Sequence, residues 1–401
     1  MQLGRHFRTR RRHRFARRAI ATLAPLGALA LVSTSAGADI TARASTEMAG
    51  YTDSVGVSVF TPSVAVGVEN PISGWGANGR YLVDMVSAAS PDIVATASPR
   101  WSETRHAGNI GARYKPGTFG VAVGGAASYT PDYLALSANA QLTQELDDKN
   151  LTLIEGYSYG RDTIGRTGTS FDVFSRDLTT HAMTLGLSRV VNKALVLGLI
   201  ADVMLERGDQ SKPYRYIPIF APEVAPTVPR GASAITVADS RLVARPIEQL
   251  PLERERYAVT GRMGWRTDST TLRLEQRLYT DSWSLKGTTT DFRWFVDVSD
   301  RVTIWPHLRV HVQSGVDFWQ RAYAARSVQD LPAIRTGDRE LGPLSNFGLG
   351  GGIRLALGRS ESKDDVFLIL TGDGTWTSFT DTIYVKDRFS ALGATTLEVT
   401  F

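Results

Sequence analysis

Gly156-Tyr157-Ser158-Tyr159-Gly160 has the spacing of a serine-hydrolase nucleophile elbow, in which a sharp strand-to-helix turn lifts the serine hydroxyl toward substrate. Here the motif closes a stretch of alternating residues, Arg161-Asp162 follow, and no helical periodicity lies behind it. Ser158 therefore reads as a small wall residue between two interfacial tyrosines. Beyond residue 38 the histidines are His106, His181, His307 and His311. On a strand, the four-residue spacing of His307 and His311 separates them by roughly 13 Å, too far to share a metal. No metalloprotease helix motif, phosphate-binding loop or EF-hand loop occurs. Gly348-Leu-Gly-Gly-Gly352 has no helix start to receive a phosphate, and its small residues read as room inside a barrel. The chain has no cysteine, which excludes disulfides and thiolate metal sites. No catalytic residue, metal or cofactor is expected.

Arginine is the remaining chemistry. Arg256, Arg262, Arg266, Arg273, Arg277, Arg293 and Arg309 recur on the polar faces of successive segments. Glu275 and Asp297 are interleaved with them, and His307 and His311 share the face of Arg309. One reading is a mutually paired network that stiffens a wall. The other is a basic strip along a water-filled pore, which would favour anions through its local potential.

These residues sit on strands. From Asp39 onward the chain runs in alternating stretches of roughly ten to fourteen residues, separated by turn residues. In Thr271–Asp281, Leu272, Leu274 and Leu278 oppose Arg273, Glu275, Arg277 and Tyr279. Val302–Gln313 and Gly348–Leu357 repeat the pattern. Successive strand side chains point to opposite faces, so each segment has one oily and one wet side.

The connections decide between a soluble sandwich and a membrane barrel. Every second one is short: 69–74, 115–118, 145–150, 190–194, 268–270, 299–301 and 358–365. The others, at 88–100, 160–176, 207–254, 318–344 and 378–388, are irregular and often long. Tight turns on one rim and long loops on the other is how outer-membrane barrels are built, periplasmic and extracellular respectively. The expected fold is all-β, a transmembrane antiparallel up-and-down barrel of about 14–16 strands. The last stretch places Phe389, Gly393, Leu397, Val399 and Phe401 on one face, ending on an aromatic. That pattern reads as the signal recognised by the barrel-assembly machinery of Gram-negative bacteria.

The N-terminus agrees. Eight arginines and no acids precede residue 19, an apolar run covers Ala19–Val32, and Ala36-Gly37-Ala38 suits a signal peptidase. Residues 1–38 are thus expected to be a cleaved secretory signal and 39–401 the barrel. Arg17-Arg18 also fits a twin-arginine signal, which the ordinary leucine- and alanine-rich core disfavours. The formal net charge of +5 becomes −3 once those arginines are removed, so the basic balance says nothing about nucleic acid, and none is expected as a partner. No apolar run is long enough to span as a helix.

Gly156–Gly168, Gln210-Ser-Lys-Pro-Tyr-Arg215 and Arg335-Thr-Gly-Asp-Arg-Glu-Leu-Gly-Pro343 resemble signatures of an uncharacterised outer-membrane barrel family, domain-of-unknown-function family 3570. The resemblance runs over most of the chain beyond residue 38 and implies the barrel fold. It carries no activity.

The expected location is therefore the outer membrane of a Gram-negative bacterium, in contact with lipid and lipopolysaccharide. The leading functional reading is a porin-like channel or transporter for small solutes, anion-favouring, whose ion preference changes when Arg273 and Arg277 become glutamate. The alternative is a plugged structural or surface-recognition barrel without conductance, and an outer-membrane hydrolase ranks below both. The proline-rich 207–254 connection is expected to be ordered, as a constriction or plug in the lumen or as a cover across the mouth. Asp209, Lys212, Arg215, Glu223 and Arg230 are its candidate contact residues. Oligomeric state is left open.

Overall fold

The computed structural model describes residues 40–88, 101–211, 215–359 and 365–401. The leader expected at 1–38 and the candidate Lys212 lie outside the described residues. Alternation of apolar and polar residues turns nearly the whole chain into long antiparallel strands. In order they are β1 (Thr41–Asp53), β2 (Val57–Asn70), β3 (Trp75–Ala88), β4 (Trp101–Tyr114), β5 (Phe119–Thr130), β6 (Tyr133–Leu146), β7 (Leu151–Ile164), β8 (Arg176–Val190) and β9 (Leu195–Gly208). After the short β10 (Ile219–Phe220) come β11 (Glu253–Arg266), β12 (Thr270–Asp281), β13 (Lys286–Ser299) and β14 (Val302–Gln313). The short β15 (Tyr323–Ala324) precedes β16 (Leu344–Arg359), β17 (Asp365–Phe379) and β18 (Asp387–Thr400).

All strands but β10 and β15 form one closed barrel of 16, each paired with its neighbour in the chain. β1 and β18 close it, in register from Arg43↔Thr400 to Asp53↔Ser390. Phe401 adds a last backbone hydrogen bond to Ala42 at 2.8 Å. Closure leaves no sheet edge, so strand amides can sit in hydrocarbon without an unpaired donor or acceptor. No helix of the described residues is long and apolar enough to cross a membrane.

The turns follow from side chains at the strand ends. On the short-turn rim, Asn70 Oδ1 accepts from the Ile72 and Ser73 amides at 3.0 and 2.8 Å. Asn192 does the same for Ala194 and Leu195 at 2.9 and 3.0 Å. Such side-chain mimicry of a backbone turn is why asparagine and aspartate punctuate strands. The other rim carries the long loops and also tight turns at 54–56, 131–132 and 282–285, the first held by Asp53 and the last by Asp281.

Register sorts the two faces. The outward residues include Val66, Val68, Ile110, Val121, Val123, Leu136, Leu185, Leu197, Leu199, Leu349 and Leu370, all apolar side chains that stay exposed. Outward aromatics bound this band. Trp75, Tyr114, Phe119, Trp265 and Phe401 lie toward the short turns, and Phe60, Tyr129, Tyr257, Phe347 and Phe389 toward the long loops. An apolar belt between aromatic girdles is the surface a bilayer solvates. Phe389, Gly393, Leu397, Val399 and Phe401 are all outward, as the last strand's alternation requires.

The compactly packed interior lies in the long loops, not inside the barrel. β10 and β15 pair in parallel and join the 209–252 loop to the 314–343 loop. Ile217, Ile219, Phe220 and Tyr323 are almost wholly buried there, with Val237 from a short helix α1 (Ala234–Ser240). Burying such side chains contributes about 1.5–3 kcal/mol each, which is why so proline-rich a connection is ordered. Ile383 and Tyr384 of the 380–386 loop pack against the same cluster. The described parts of these loops thus form a cap, and α1 is an element that the strand pattern did not announce.

Candidate functional site

The lumen wall is built from the wet faces of the strands. Each predicted lumen residue points inward: Arg256, Arg262 and Arg266 on β11, Arg273, Glu275 and Arg277 on β12, Arg293 and Asp297 on β13, and His307, Arg309 and His311 on β14. Registers such as Arg262↔Glu275 and Arg273↔Arg293 put them on one continuous surface. β16 adds Arg354 to that surface.

Most of these arginines are paired. Arg256 meets Glu206 at 2.8 Å, Arg266 meets Asp297 at 3.0 Å, and Arg277 meets Asp202 at 3.0 Å. Arg262 faces Glu275 at 3.4 Å. Glu206 and Asp202 come from β9, acids that the strip as read from sequence did not include. The paired network and the basic strip are therefore two aspects of one wall. Half-exposed pairs of this kind contribute little stability each, because water and salt screen them.

His307 is part-buried, its side chain 14% exposed. Its Nδ1 lies 2.6 Å from Asp373 Oδ1 and its Nε2 lies 3.0 Å from Asp291 Oδ2, so from β14 the ring links β13 on one side with β17, beyond β16, on the other. Arg293 and Arg309 also reach Asp291, at 3.3 and 3.4 Å. Asp373 belongs on this wall because β16 has glycine where it passes. A Cβ at Gly350 would collide with the Asp373 carboxylate, and one at Gly352 with the Trp305 ring. His311 instead bonds Thr289 at 2.8 Å, away from His307. Among the described residues no cluster of metal-ligating side chains occurs. His307→Leu keeps the volume but removes the ring that links the part-buried carboxylates of Asp291 and Asp373. We expect denaturant unfolding of the refolded protein to reveal a loss of about 1–3 kcal/mol. A change within about 0.5 kcal/mol, the range of ordinary surface substitutions, would mean that the bridge carries no structural weight.

The facing wall differs. Across the lumen, β5 turns Gly120, Ala122, Gly124, Ala126 and Ser128 inward, and β6 adds Ser137, Asn139 and Gln141. Two solvent-accessible hollows, of about 560 and 390 Å³, lie along this side, lined in part by Asn78, Asn109, Asn139 and Arg113 and by Arg80, Ser137, Ser158 and Thr180. The inward arginines are thus densest on β11–β16; β5 and β6 turn in only small or neutral side chains, and β3 and β4 beside them carry Arg80, Arg105 and Arg113, each paired with an acid. Ser158 faces inward. In register it stands beside Ala182, and His181 turns outward to bond Tyr157 at 2.7 Å.

The cap closes over the upper ends of β11–β18. Arg254 and Asp281, buried beneath it, form an ion pair from Nε at 2.9 Å, with the guanidinium 4.1 Å from the Trp283 ring centre. Gln313 donates to the Glu340 and Gly342 carbonyls, both at 2.9 Å, and Arg388 pairs with Glu340 at 2.9 Å.

The loop candidates divide. Asp209 pairs with Arg176, Arg230 donates to the Phe379 carbonyl at 3.0 Å, and Glu223 is exposed. Arg215 is the key of the cap: it pairs with Asp338 and lies 3.7 Å from Glu248, whose side chain is only 1% exposed. Thr336 donates to Glu248 at 2.6 Å, and the Thr336 amide donates to the Tyr323 hydroxyl at 2.8 Å. Burial, reinforced by Glu248, pushes the Tyr323 phenol up to about 12, so it remains a neutral donor to the Phe318 carbonyl at ordinary pH. Of the two placements expected for this loop, its contacts favour the cover. They hold it to the strand tops, while Arg262, Arg266 and Arg309 lower on the wall stay 51, 55 and 53% exposed.

A charge-lined, solvated interior within a closed sheet whose outer face is apolar defines a membrane-type β-barrel protein. The chain belongs to the family described as Protein of unknown function (DUF3570), whose model matches residues 33–363. No curated protein matches it. Similar solved structures include CdiB from Acinetobacter baumannii, at 10% identity and a TM-score of 0.48, covering 90% of this chain and 60% of that one. A bacterial polysaccharide outer membrane secretin gives 8% identity and a TM-score of 0.44, over 89% and 97% of the two chains. OccK3 (OpdO) from Pseudomonas aeruginosa gives 8% and 0.36, over 90% and 96%. This chain spans 60% of the length of the first of these.

Proposed function

We propose that the protein is a porin-like channel or transporter for small solutes in the outer membrane of a Gram-negative bacterium, reached after export and removal of residues 1–38. The observation that carries this reading is the solvated, charge-lined lumen below the cap. A 16-stranded barrel is wide enough to hold an aqueous path. Lipid and lipopolysaccharide would meet its apolar belt, and the strand ending at Phe401 would be read by the barrel-assembly machinery.

Charge concentrated on one wall sets a field across such a path, strongest where the walls exclude water. We therefore expect a preference for anions. The reversal potential of the refolded protein in a potassium chloride gradient measures it, and Arg273→Glu with Arg277→Glu should move it toward potassium. A conducting barrel whose reversal potential ignored both substitutions would refute a path along this wall.

The packed core of the cap favours one other reading, a barrel that presents its loops to a surface partner without conducting. No enzymatic activity is proposed, since His181, adjacent in register to Ser158, lies on the opposite face.

A further inference from the structure

Seven arginines of β11–β14 have carboxylate partners, but Arg273 on β12 and Arg354 on β16 make no ion pair among the described residues. Each stacks on a ring instead. The Arg273 guanidinium carbon is 4.9 Å from the Phe295 ring centre, and that of Arg354 is 3.6 Å from Phe367. Phe295 in turn lies 5.4 Å from Trp305, tilted by 31°.

Register explains the arrangement. Phe295, Trp305 and Gly352 occupy one row across β13, β14 and β16, and the missing side chain at Gly352 lets the Trp305 ring lie flat along the wall. The row on the long-loop side holds Arg273 and Arg293, and the row on the short-turn side holds Asp297, Thr303 and Arg354. Rows two residues apart on a strand are separated by about 7 Å. An aromatic shelf therefore has a guanidinium above it and another below. The nearby acids are already engaged: Asp291 by Arg293, Arg309 and His307, and Asp297 by Arg266 and Thr303.

We propose that this shelf is a binding site for aromatic carboxylates within the lumen. A flat ring would lie on Phe295 and Trp305 through offset or edge contacts, and its carboxylate would take the forked N–H donors of Arg273 or Arg354. Stacking on phenylalanine holds each guanidinium plane in place, so little side-chain freedom is lost on binding. The proposal rests on the solvated lumen described above, and does not require that solute cross it.

The test uses the refolded full-length barrel in detergent, with benzoate as probe, acetate and benzyl alcohol as controls, and saturation-transfer NMR titration as readout. Benzoate should bind, and acetate and benzyl alcohol should each bind at least about tenfold more weakly, since each lacks one half of the interaction. Arg273→Gln with Arg354→Gln should weaken benzoate at least about tenfold, the loss of a charge-assisted pair. Trp305→Leu should do so with the charge intact, and Lys193→Gln, at an exposed short turn away from this wall, should leave binding unchanged. Equal binding of acetate and benzoate, no binding of benzoate, or benzoate binding indifferent to the double substitution would each overturn the proposal. None of these outcomes depends on conductance. A barrel that binds benzoate yet passes no current would refute the channel and leave the site standing.

Discussion

Arg254→Ala should destabilise the folded barrel by about 3 kcal/mol or more, the range observed when one partner of a buried ion pair is removed. The Arg254 and Asp281 side chains are 8 and 0% exposed, so little water reaches either charge. Asp281 would keep the Trp283 and Leu285 amides, each at 3.0 Å, and the Tyr279 hydroxyl at 2.9 Å, but no cation. The Trp283 ring would lose the guanidinium stacked on it. Trp283 anchors the cluster of Leu250, Leu285 and Val316, so the effect should reach the cap. Limited proteolysis within 209–252 and 314–343 should accelerate in the variant, and denaturant unfolding gives the free energy. Arg254→Met together with Asp281→Leu should recover much of the loss, because a buried pair replaced by apolar groups of similar volume costs far less than a broken one.

Gly350→Ala should destabilise by about 1–3 kcal/mol although it adds a single methyl group. The new atom would meet both the Asp373 carboxylate and the backbone oxygen of Gly372 on the directly paired strand. Relief requires β16 and β17 to part or Asp373 to swing off His307, and either breaks a hydrogen bond. Gly261→Ala on β11 is the control, since nothing lies within 4 Å of a Cβ there. That change should be neutral or stabilise by up to about 1 kcal/mol, because alanine loses less backbone entropy in a strand. Equal effects at the two positions would mean that the close approach of β16 to β17 carries no weight. The pair of variants thus separates the general cost of changing a strand glycine from a specific collision.

The barrel was legible because its information is local. A two-residue period declares each strand, and asparagine or aspartate at strand ends declares turns such as those at Asn70 and Asn192. Even the inward face of Arg256 through His311 follows from alternation alone. The cap was not legible in the same way. Ile219 pairs with Tyr323, and Arg215 with Asp338, across more than a hundred residues, and no period links them. The tight turns at 131–132 and 282–285 break the simple contrast of a short-turn rim and a long-loop rim. The partners of the arginines came from elsewhere too. Asp202 and Glu206 sit on β9, a strand whose apolar content draws attention away from its acids. Asp373 reaches His307 only because Gly350 leaves the space. A charged face could therefore be read from one segment at a time, while its neutralisation depended on which strands became neighbours.

If the lumen is solvated and narrowed by the cap, single-channel conductance in a planar lipid bilayer will show both. The measurement compares the refolded chain from residue 39 with a variant in which a short turn replaces 209–252, removing Ile217, Ile219, Phe220 and Val237 from the cap. Heat-modifiable migration verifies in each that the barrel is closed. Discrete steps are expected for the full barrel and several-fold larger ones for the variant. Two closed barrels that are both silent, or that conduct equally, would contradict that expectation.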